Sequence, residues 1–444
     1  MFVGLSDDAD NGVLLKQSLR IENLLHINLI DYIILLQKTN IEFLKILKPN
    51  IVLKGQEHQS DDIDEESTLI LSYGGKILYS SGESLFSSED LISPDMHPYH
   101  NNFVKVNSYL KRHKIYKNDI KKYFQKLNKL KVVVIGDIII DEYINCTPIG
   151  MSQEDPIVVL RPHGQEKYIG GASIVAAHIA GTGANTHFIG VSGSDGLSEF
   201  VNNSLKNIGV VPHIFQDNTR PTTLKQRFRV KNNTLFRISN FRQHNIDNQI
   251  INSIFARICE LIIDSDLLVF SDFSYGCLPS ELVSKIINFC LLNNIHMTAD
   301  SQTSSQIGDI SRFHDMLLVT PTEHEARVSL GHQTSSISVL ADNLISKSRA
   351  KNIIITLGGD GVFIKSSNSL TDNMQEDQLP ALNSSPLDIS GAGDCLLAYS
   401  SVALVSGASL WEAAYIGSIA AGCQVSRVGN FQLSASEVLA RINN

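Results

Sequence analysis

The residues best suited to chemistry form the run Asp-Ile-Ser-Gly-Ala-Gly-Asp from Asp388 to Asp394, which leads into an apolar stretch. Gly391, Ala392 and Gly393 let the backbone approach a phosphate, and N–H groups at a helix start point at such an anion. Asp394 would lie in the first helical turn, where a carboxylate suits a general base that deprotonates an attacking hydroxyl group. The run predicts phosphoryl transfer from a nucleotide to an alcohol. A helix start that is merely capped by a side chain of the run is the alternative.

A sheet must position such a turn, and four short apolar runs in the later part of the chain predict buried parallel strands. The runs are 131–136, 267–270, 316–319 and 353–356. Helical patterns alternate with them, which predicts a parallel α/β sheet with helices on both faces. Ligands bind beyond the carboxyl ends of the strands in such sheets, and polar residues or glycines follow several runs there: Asp137, Asp272, Thr320 and Gly358.

Two further segments alternate between polar and apolar residues, which predicts strands of a small β-lid on this core. These segments are 157–169 and 222–238. Basic residues cluster near the second segment: Arg220, Lys225, Arg227 and Arg229. Guanidinium groups bind phosphate in bidentate fashion, so the cluster could bind a phosphorylated substrate. A solvated strand face is an equally good interpretation.

The overall composition is typical of a globular protein, since 43% of the 444 residues are hydrophobic and 19% are charged. The net charge of -9 argues against a nucleic-acid or anionic-membrane partner. No apolar run reaches the roughly 18 residues that span a bilayer, and the N-terminus lacks the pattern of a secretion signal. None of the six cysteines forms a Cys-x-x-Cys pair. These features predict a cytoplasmic protein with reduced thiols.

Residues 131–444 resemble the ribokinase-like (PfkB) sugar kinases, and the matching motifs come in the family's order. The motifs are Gly136-Asp137 with Asp141, Gly170-Gly171-Ala172, Thr320-Pro321 with Glu325, Thr356 to Gly361, and Gly391 to Asp394. The resemblance implies a three-layer α/β sandwich with a β-lid. It also implies a phosphotransferase that uses ATP and Mg²⁺ to phosphorylate a hydroxyl group of a sugar or sugar phosphate.

The same resemblance implies roles for individual residues. The catalytic turn comprises Gly391, Ala392, Gly393 and the general base Asp394. The ATP side comprises Thr356, Gly358, Gly361 and Asp388, the last of which either assists the metal or shapes the turn. The sugar side comprises Asp137, Asp141, Gly170, Gly171, Arg220 and Arg227. Glu325 would hold Mg²⁺ through water.

Within the family, the chain looks most like the heptose-7-phosphate kinases. This resemblance is carried by Ser152 to Pro156, Arg220 to Thr222, Lys225, Arg227 and Arg237-Ile238. Three positions depart from the family pattern, because Ile174 and Thr322 replace asparagines and Tyr275 replaces a lysine. Two hypotheses stay open: a kinase with an altered acceptor, in heptose or surface-glycan precursor synthesis, and a catalytically silent sugar- or nucleotide-binding protein.

Residues 1–92 resemble the later part of a cytidylyltransferase-like nucleotidyltransferase domain, a Rossmann-like α/β fold. The matching segments are 4–9, 48–55 and 87–92. The phosphate-binding His-x-Gly-His of that family would precede Met1, so we expect no nucleotidyl transfer and regard the domain as partial. Residues 93–130 indicate a linker and an amphipathic helix. The resemblance to ribokinase-like enzymes further implies a homodimer formed through the lid.

Overall fold

The computed structural model describes residues 2–5, 16–25, 30–36, 40–55, 65–80, 98–231, 233–303, 308–367, 375–383 and 385–443. The chain divides into two compact units, Met1–His100 and Asn101–Asn444. The predicted segment 87–92 and the predicted boundary after residue 92 lie outside the described residues.

The first unit alternates strands and helices, as its sequence predicts. Two parallel strand pairs are present, Phe2–Leu5 (β1) with Tyr32–Leu35 (β2) and Ile51–Gly55 (β3) with Lys76–Ser80 (β4). The helices are Gln17–Leu25 (α1), Asn40–Leu47 (α2) and Glu65–Ser72 (α3). Its buried apolar side chains include Leu5, Leu44 and Ile70.

A nine-stranded sheet forms the centre of the second unit. In order across the sheet, its strands are Glu376–Leu379 (β17), Val362–Ser366 (β16), Asn352–Thr356 (β15), Leu318–Val319 (β14), His296–Ser301 (β13), Leu267–Asp272 (β12), Lys131–Gly136 (β5), Asn185–Ser192 (β8) and Val210–Gln216 (β9). Strand pairs from β15 to β9 are parallel, whereas β15, β16 and β17 pair antiparallel. All four strands predicted from apolar runs belong to this sheet.

Helices cover both faces of the sheet, which gives the expected three layers. Alternate side chains of β5 enter opposite cores, Val132 and Val134 on one face and Val133 and Ile135 on the other. Helices around the first core are Pro98–Arg112 (α4), Lys117–Leu127 (α5), Ala172–Gly181 (α6), Gly196–Asn207 (α7), Ala392–Val405 (α12), Leu410–Gln424 (α13) and Ala435–Asn443 (α14). Those around the second are Asn248–Ile262 (α8), Ser280–Leu292 (α9), Glu323–Leu330 (α10) and Ile337–Ser348 (α11).

A second, four-stranded sheet forms the predicted lid. Its order is Asn233–Asn240 (β11), Thr223–Val230 (β10), Ile138–Met151 (β6) and Val158–Gly171 (β7). The hairpins β6–β7 and β10–β11 are antiparallel, and β10 joins them by pairing parallel with β6. Strand β6 was not expected as a lid strand, because its first half is a continuous buried run without alternation.

Residues 101–130 belong to the second unit, although their pattern suggested a linker followed by one helix. Helix α5 contributes Ile120, Tyr123, Phe124 and Leu127 to the first core. At the end of α4, Arg112 donates hydrogen bonds of 2.8 and 3.0 Å to Asp377 on β17, and His113 Nε2 lies 2.7 Å from the same carboxylate. Across the described residues, no helix is long and apolar enough to cross a membrane.

Candidate active site

A cleft of about 990 Å³ lies where the carboxyl ends of the sheet strands meet the lid. The fold brings most of the predicted site residues to its wall: Asp141, Gly171, Arg227, Glu325, Thr356, Gly358, Gly361, Gly391, Ala392, Gly393 and Asp394. The other predicted site residues, Asp137, Gly170, Arg220 and Asp388, lie behind this wall. The cleft therefore combines a helix N-terminus, several carboxylates and basic side chains of the lid.

The small-residue turn at the start of α12 has the conformation that its composition predicts. Gly391 precedes the helix with φ +79°, a left-handed conformation that favours glycine, and a Cβ there would overlap the side chain of Asn430. Apart from adjoining residues of the same helix, no atom of the described residues lies within 4 Å of the position that a Cβ on Gly393 would take, and Gly393 lines the open cleft. The turn thus presents the N-terminus of a 14-residue helix to the cleft.

Asp394 lies in the first turn of α12 and is buried, with 5% of its surface exposed. Burial raises its pKa from 3.8 to about 7; Asp141 and Glu325 add to the rise, and Lys225 opposes it. Within the described part of the chain, its Oδ1 has no hydrogen-bond partner. This carboxylate can accept a proton near neutral pH, as a general base requires.

Two further carboxylates lie near Asp394 in the cleft. Glu325 is buried on α10, where its oxygens accept N–H groups of Thr303 and Thr322, both at 2.8 Å. Asp300 is the penultimate residue of β13, and its Oδ1 is unpartnered among the described residues. Burial, followed by the nearby Glu325 and Asp394, raises the pKa of Asp300 well above the ordinary value. Repelling carboxylates with free lone pairs fit a divalent cation with oxygen ligands such as Mg²⁺.

Thr356 ends β15 and forms an isolated β-bridge with Thr322 at the start of α10, while Gly358 and Gly361 belong to the turn that follows β15. The adjoining wall is largely apolar and includes Leu357, Val362, Pro380, Leu382, Ala421 and Val425. This combination of open glycines and apolar side chains suits the base and ribose of a nucleotide.

The lid supplies basic side chains to the cleft. Arg227 on β10 forms a salt bridge with Asp141 on β6. Arg237 on β11 is the cross-strand partner of Arg227, and both residues line the cleft. Lys225 lies 5.3 Å from the ring centroids of both Phe273 and Tyr275. Among the described residues, neither Lys225 nor Arg237 pairs with a carboxylate, so this end of the cleft favours an anion.

Two residues assigned to the sugar side, Asp137 and Gly170, are absent from the cleft lining. Asp137 accepts N–H groups of Phe273, Tyr275 and Cys277 at 2.8 to 3.4 Å. Its pKa rises to about 6 through burial and the nearby Asp272. Gly170 lies behind Asp141, whose carboxylate a Cβ at that position would overlap. These residues support the site from outside the cleft.

Arg220 is also occupied away from the cleft. Its Nε donates to Asp217 at 2.7 Å, and its terminal nitrogens donate to the carbonyl oxygens of Tyr275 and His244 at 2.9 and 2.6 Å. The guanidinium group therefore ties two loops together through three of its five N–H donors.

Asp388 accepts hydrogen bonds at the turn, an arrangement that fits the second of the two roles predicted for it. Its carboxylate accepts hydrogen bonds from the Tyr143 hydroxyl at 2.8 Å, the Ser390 N–H at 3.0 Å and the Gly429 N–H at 3.1 Å. Although burial opposes the change, these donors hold the pKa of Asp388 below its ordinary value.

The three departures from the family pattern differ in their surroundings. Ile174 is fully buried in the first core and does not reach the cleft. Tyr275 is buried against Phe241, with ring centroids 4.6 Å apart, and under the Lys225 ammonium. Thr322 lines the cleft and caps α10 in a reciprocal pair with Glu325.

Asp300 is a site residue that the sequence analysis missed. It lies at the carboxyl end of a buried strand, after Met297-Thr298-Ala299, just as Asp137 and Asp272 follow their apolar runs. The rule that polar residues at the carboxyl ends of parallel strands meet at one edge would have identified it.

Solved structures with a similar fold are ribokinases and related kinases. Phosphofructokinase-2 from Escherichia coli in complex with potassium superposes with a TM-score of 0.59 at 17% identity, covering 71% of this chain and 99% of that one. Ribokinase from Thermotoga maritima gives a TM-score of 0.56 at 19% identity, covering 71% of this chain and 100% of that one. At these identities the likeness establishes a ribokinase-like α/β fold.

Among curated proteins, the bifunctional protein HldE of Helicobacter hepaticus is 28% identical over 317 residues, 70% of this chain. HldE of Desulfatibacillum aliphaticivorans is 27% identical over 318 residues, 71% of this chain. The matches span only 64% and 63% of the lengths of those relatives. Residues 129–434 match the profile described as pfkB family carbohydrate kinase. The chain therefore belongs to the pfkB family of carbohydrate kinases, phosphotransferases whose acceptor is a sugar hydroxyl group.

Proposed function

We propose that this protein transfers the γ-phosphoryl group of ATP to a hydroxyl group of a phosphorylated sugar, with Asp394 as general base. The observation that carries the proposal is the position of Asp394, a buried carboxylate at the N-terminus of α12 with an unpartnered Oδ1 among the described residues. Its pKa of about 7 lets it hold the acceptor proton without requiring alkaline conditions.

The turn of Gly391, Ala392 and Gly393 would bind the transferred group. Backbone N–H groups at a helix start stabilise negative charge, and they need no reorganisation when that charge moves during the reaction. The acidic pair of Asp300 and Glu325 would hold Mg²⁺, which supplies neutralisation of charge on the ATP phosphates. The apolar wall beside Thr356, Gly358 and Gly361 would bind the nucleoside.

The acceptor would bind between the core and the lid. Asp141 and Arg227 form an ion pair at the cleft wall and can exchange hydrogen bonds with sugar hydroxyl groups. Among the described residues, neither Lys225 nor Arg237 forms a salt bridge with a carboxylate, and this positive charge supports an acceptor carrying its own phosphate. The resemblance of the lid to heptose-7-phosphate kinases makes heptose 7-phosphate the first acceptor to test.

The alternative is a catalytically silent protein that binds a sugar or nucleotide. It is favoured by Ile174, which supplies no amide where the family places a sugar-contacting asparagine, and which lies in the core. One measurement distinguishes the two functions, since only the kinase would release ADP at a rate that depends on the concentration of an acceptor.

The test is ADP release with ATP and Mg²⁺ across free sugars and sugar phosphates, including heptose 7-phosphate. We expect release that depends on a sugar phosphate and falls by about 10² to 10⁴ in Asp394→Asn, the range for loss of a general base. Asp315→Asn is the matched control, because Asp315 pairs with Arg349 at the protein surface. Absence of turnover with every acceptor, despite measurable ATP binding, would favour the silent protein.

We also propose a homodimer formed through the lid. Strand β11 is exposed along its length and is an edge strand, and it carries Leu235, Phe236 and Ile238 at 46 to 50% exposure. An exposed apolar edge strand is a template for pairing with another chain. Light scattering after size-exclusion chromatography should give the mass of a dimer, and Phe236→Lys should give that of a monomer.

A further inference from the structure

Tyr143 connects the lid to the catalytic turn. It follows Asp141 by two residues on β6, so both side chains lie on the same face of that strand. Its hydroxyl group donates to Asp388 at 2.8 Å, three residues before Gly391. Tyr143 is only 3% exposed, and a hydrogen bond to a carboxylate is stronger in such a shielded environment.

Asp388 in turn fixes the turn itself. One of its oxygens accepts the Ser390 N–H at 3.0 Å, and the other accepts both Tyr143 and the Gly429 N–H, the latter at 3.1 Å. A single carboxylate thereby joins the lid, the residue before the small-residue turn and the loop that precedes α14.

The loop that contains Gly429 provides a second connection between the lid and the small-residue turn, through side-chain packing. Tyr168 on β7 packs edge-on against Tyr143, with ring centroids 5.2 Å apart. Gly429 lies close to the Tyr168 ring, since a Cβ on Gly429 would be 2.9 Å from that ring. The next residue, Asn430, fills the space beside Gly391 that a Cβ there would occupy. A change in lid position therefore reaches the turn through packing as well as through Asp388.

We infer that Tyr143 and Asp388 form a latch through which the lid positions the Gly391–Gly393 turn for phosphoryl transfer. The inference rests on the proposed function and adds to it a positioning pair that contacts neither ATP nor the acceptor. Because Asp141 and Tyr143 share one face of β6, the lid position that engages the acceptor is also the position that completes the bond to Asp388.

The test removes one oxygen atom, in Tyr143→Phe. The loss of a hydrogen bond that stabilises the transition state lowers kcat while KM stays constant. For a hydrogen bond to a charged group, the expected decrease in kcat is about tenfold or more. We expect that decrease with KM for ATP within about twofold. Hydrogen–deuterium exchange should become faster at the amides of residues 389–394.

The matched control is Tyr399→Phe. Tyr399 is fully buried on α12, and its hydroxyl group donates to the carbonyl oxygen of Leu433 at 2.8 Å, so the substitution removes the same group from a bond of the same length. We expect it to lower the Tm but leave kcat and exchange at 389–394 unchanged.

The inference is wrong if Tyr143→Phe keeps the wild-type exchange at 389–394, or if both variants change kcat and exchange alike. Exchange at the turn is measured without turnover, so it separates the latch from the proposed function. Faster exchange in Tyr143→Phe alone would support the latch even if the wild-type protein phosphorylated no acceptor in the panel, a result that would count against the proposed function only.

Discussion

Replacing Asp394 with asparagine should stabilise the fold, although it removes the proposed base. Burial and the nearby Asp141 and Glu325 raise the pKa of Asp394 from 3.8 to about 7, despite Lys225. Between these two values the folded protein keeps a proton that the unfolded chain has lost, so this group lowers stability progressively as the pH rises. A shift of about three units corresponds to about 4 kcal/mol, at ~1.4 kcal/mol per unit.

Asparagine carries no charge at any pH, so the variant does not lose stability through ionisation of a buried side chain at this position. The expected gain in the free energy of unfolding is about 4 kcal/mol at pH 8 and about 1–2 kcal/mol at pH 5. Urea titrations at both pH values, with EDTA and without nucleotide, would measure it. The chain's single tryptophan, Trp411, is buried on α13 and reports unfolding of the unit that contains the cleft.

Asp377→Asn is the matched control with the opposite sign. Although burial opposes the change, His113 and Arg112 hold the pKa of Asp377 below its ordinary value. Its contribution to stability is therefore present at pH 8 and declines in acid, and the substitution should destabilise the protein at pH 8. If Asp394→Asn gave the same change at both pH values, or lost stability at pH 8, the argument from desolvation would be refuted.

Four other predictions concern activity and the turn. In a pH–rate profile, kcat/KM should fall about tenfold per unit below a pH of about 7, because the base must be unprotonated. In thermal melts, Gly391→Ala should lower the Tm by about 3–8 °C, since its φ is +79° and Asn430 fills the space. Gly393→Ala, which meets no atom within 4 Å, should keep the Tm and lose activity because its methyl group enters the cleft. In steady-state kinetics, Arg237→Ala should raise KM about tenfold or more for a sugar phosphate and leave KM for a free sugar unchanged.

The small-residue turn before Asp394 could be predicted because its signal is local. The small residues before Asp394 and the apolar helix after it lie within one stretch of chain, and the structure has both features where the sequence indicated them. The buried strands were equally accessible, since β5, β12, β14 and β15 are short apolar runs bounded by polar residues.

The residues behind the cleft were harder to assign because their partners are remote backbone groups. Nothing near Arg220 in the sequence indicates that it binds the carbonyl oxygens of Tyr275 and His244. Asp137 similarly accepts N–H groups from a loop about 140 residues away. A charged side chain in a motif can therefore support a site without facing its substrate.

The pairing of β10 with β6 has a consequence for the order in which the protein folds. Asp141 and Arg227 are 86 residues apart, and the chain between them includes β7, β8 and β9 and two helices of the core. Closing so long a loop is slow, and it becomes favourable once those core elements are packed. The part of the cleft between the core and the lid is thus completed late, because a nascent chain that has not passed residue 223 contains β6 and β7 but lacks the strand that carries Arg227.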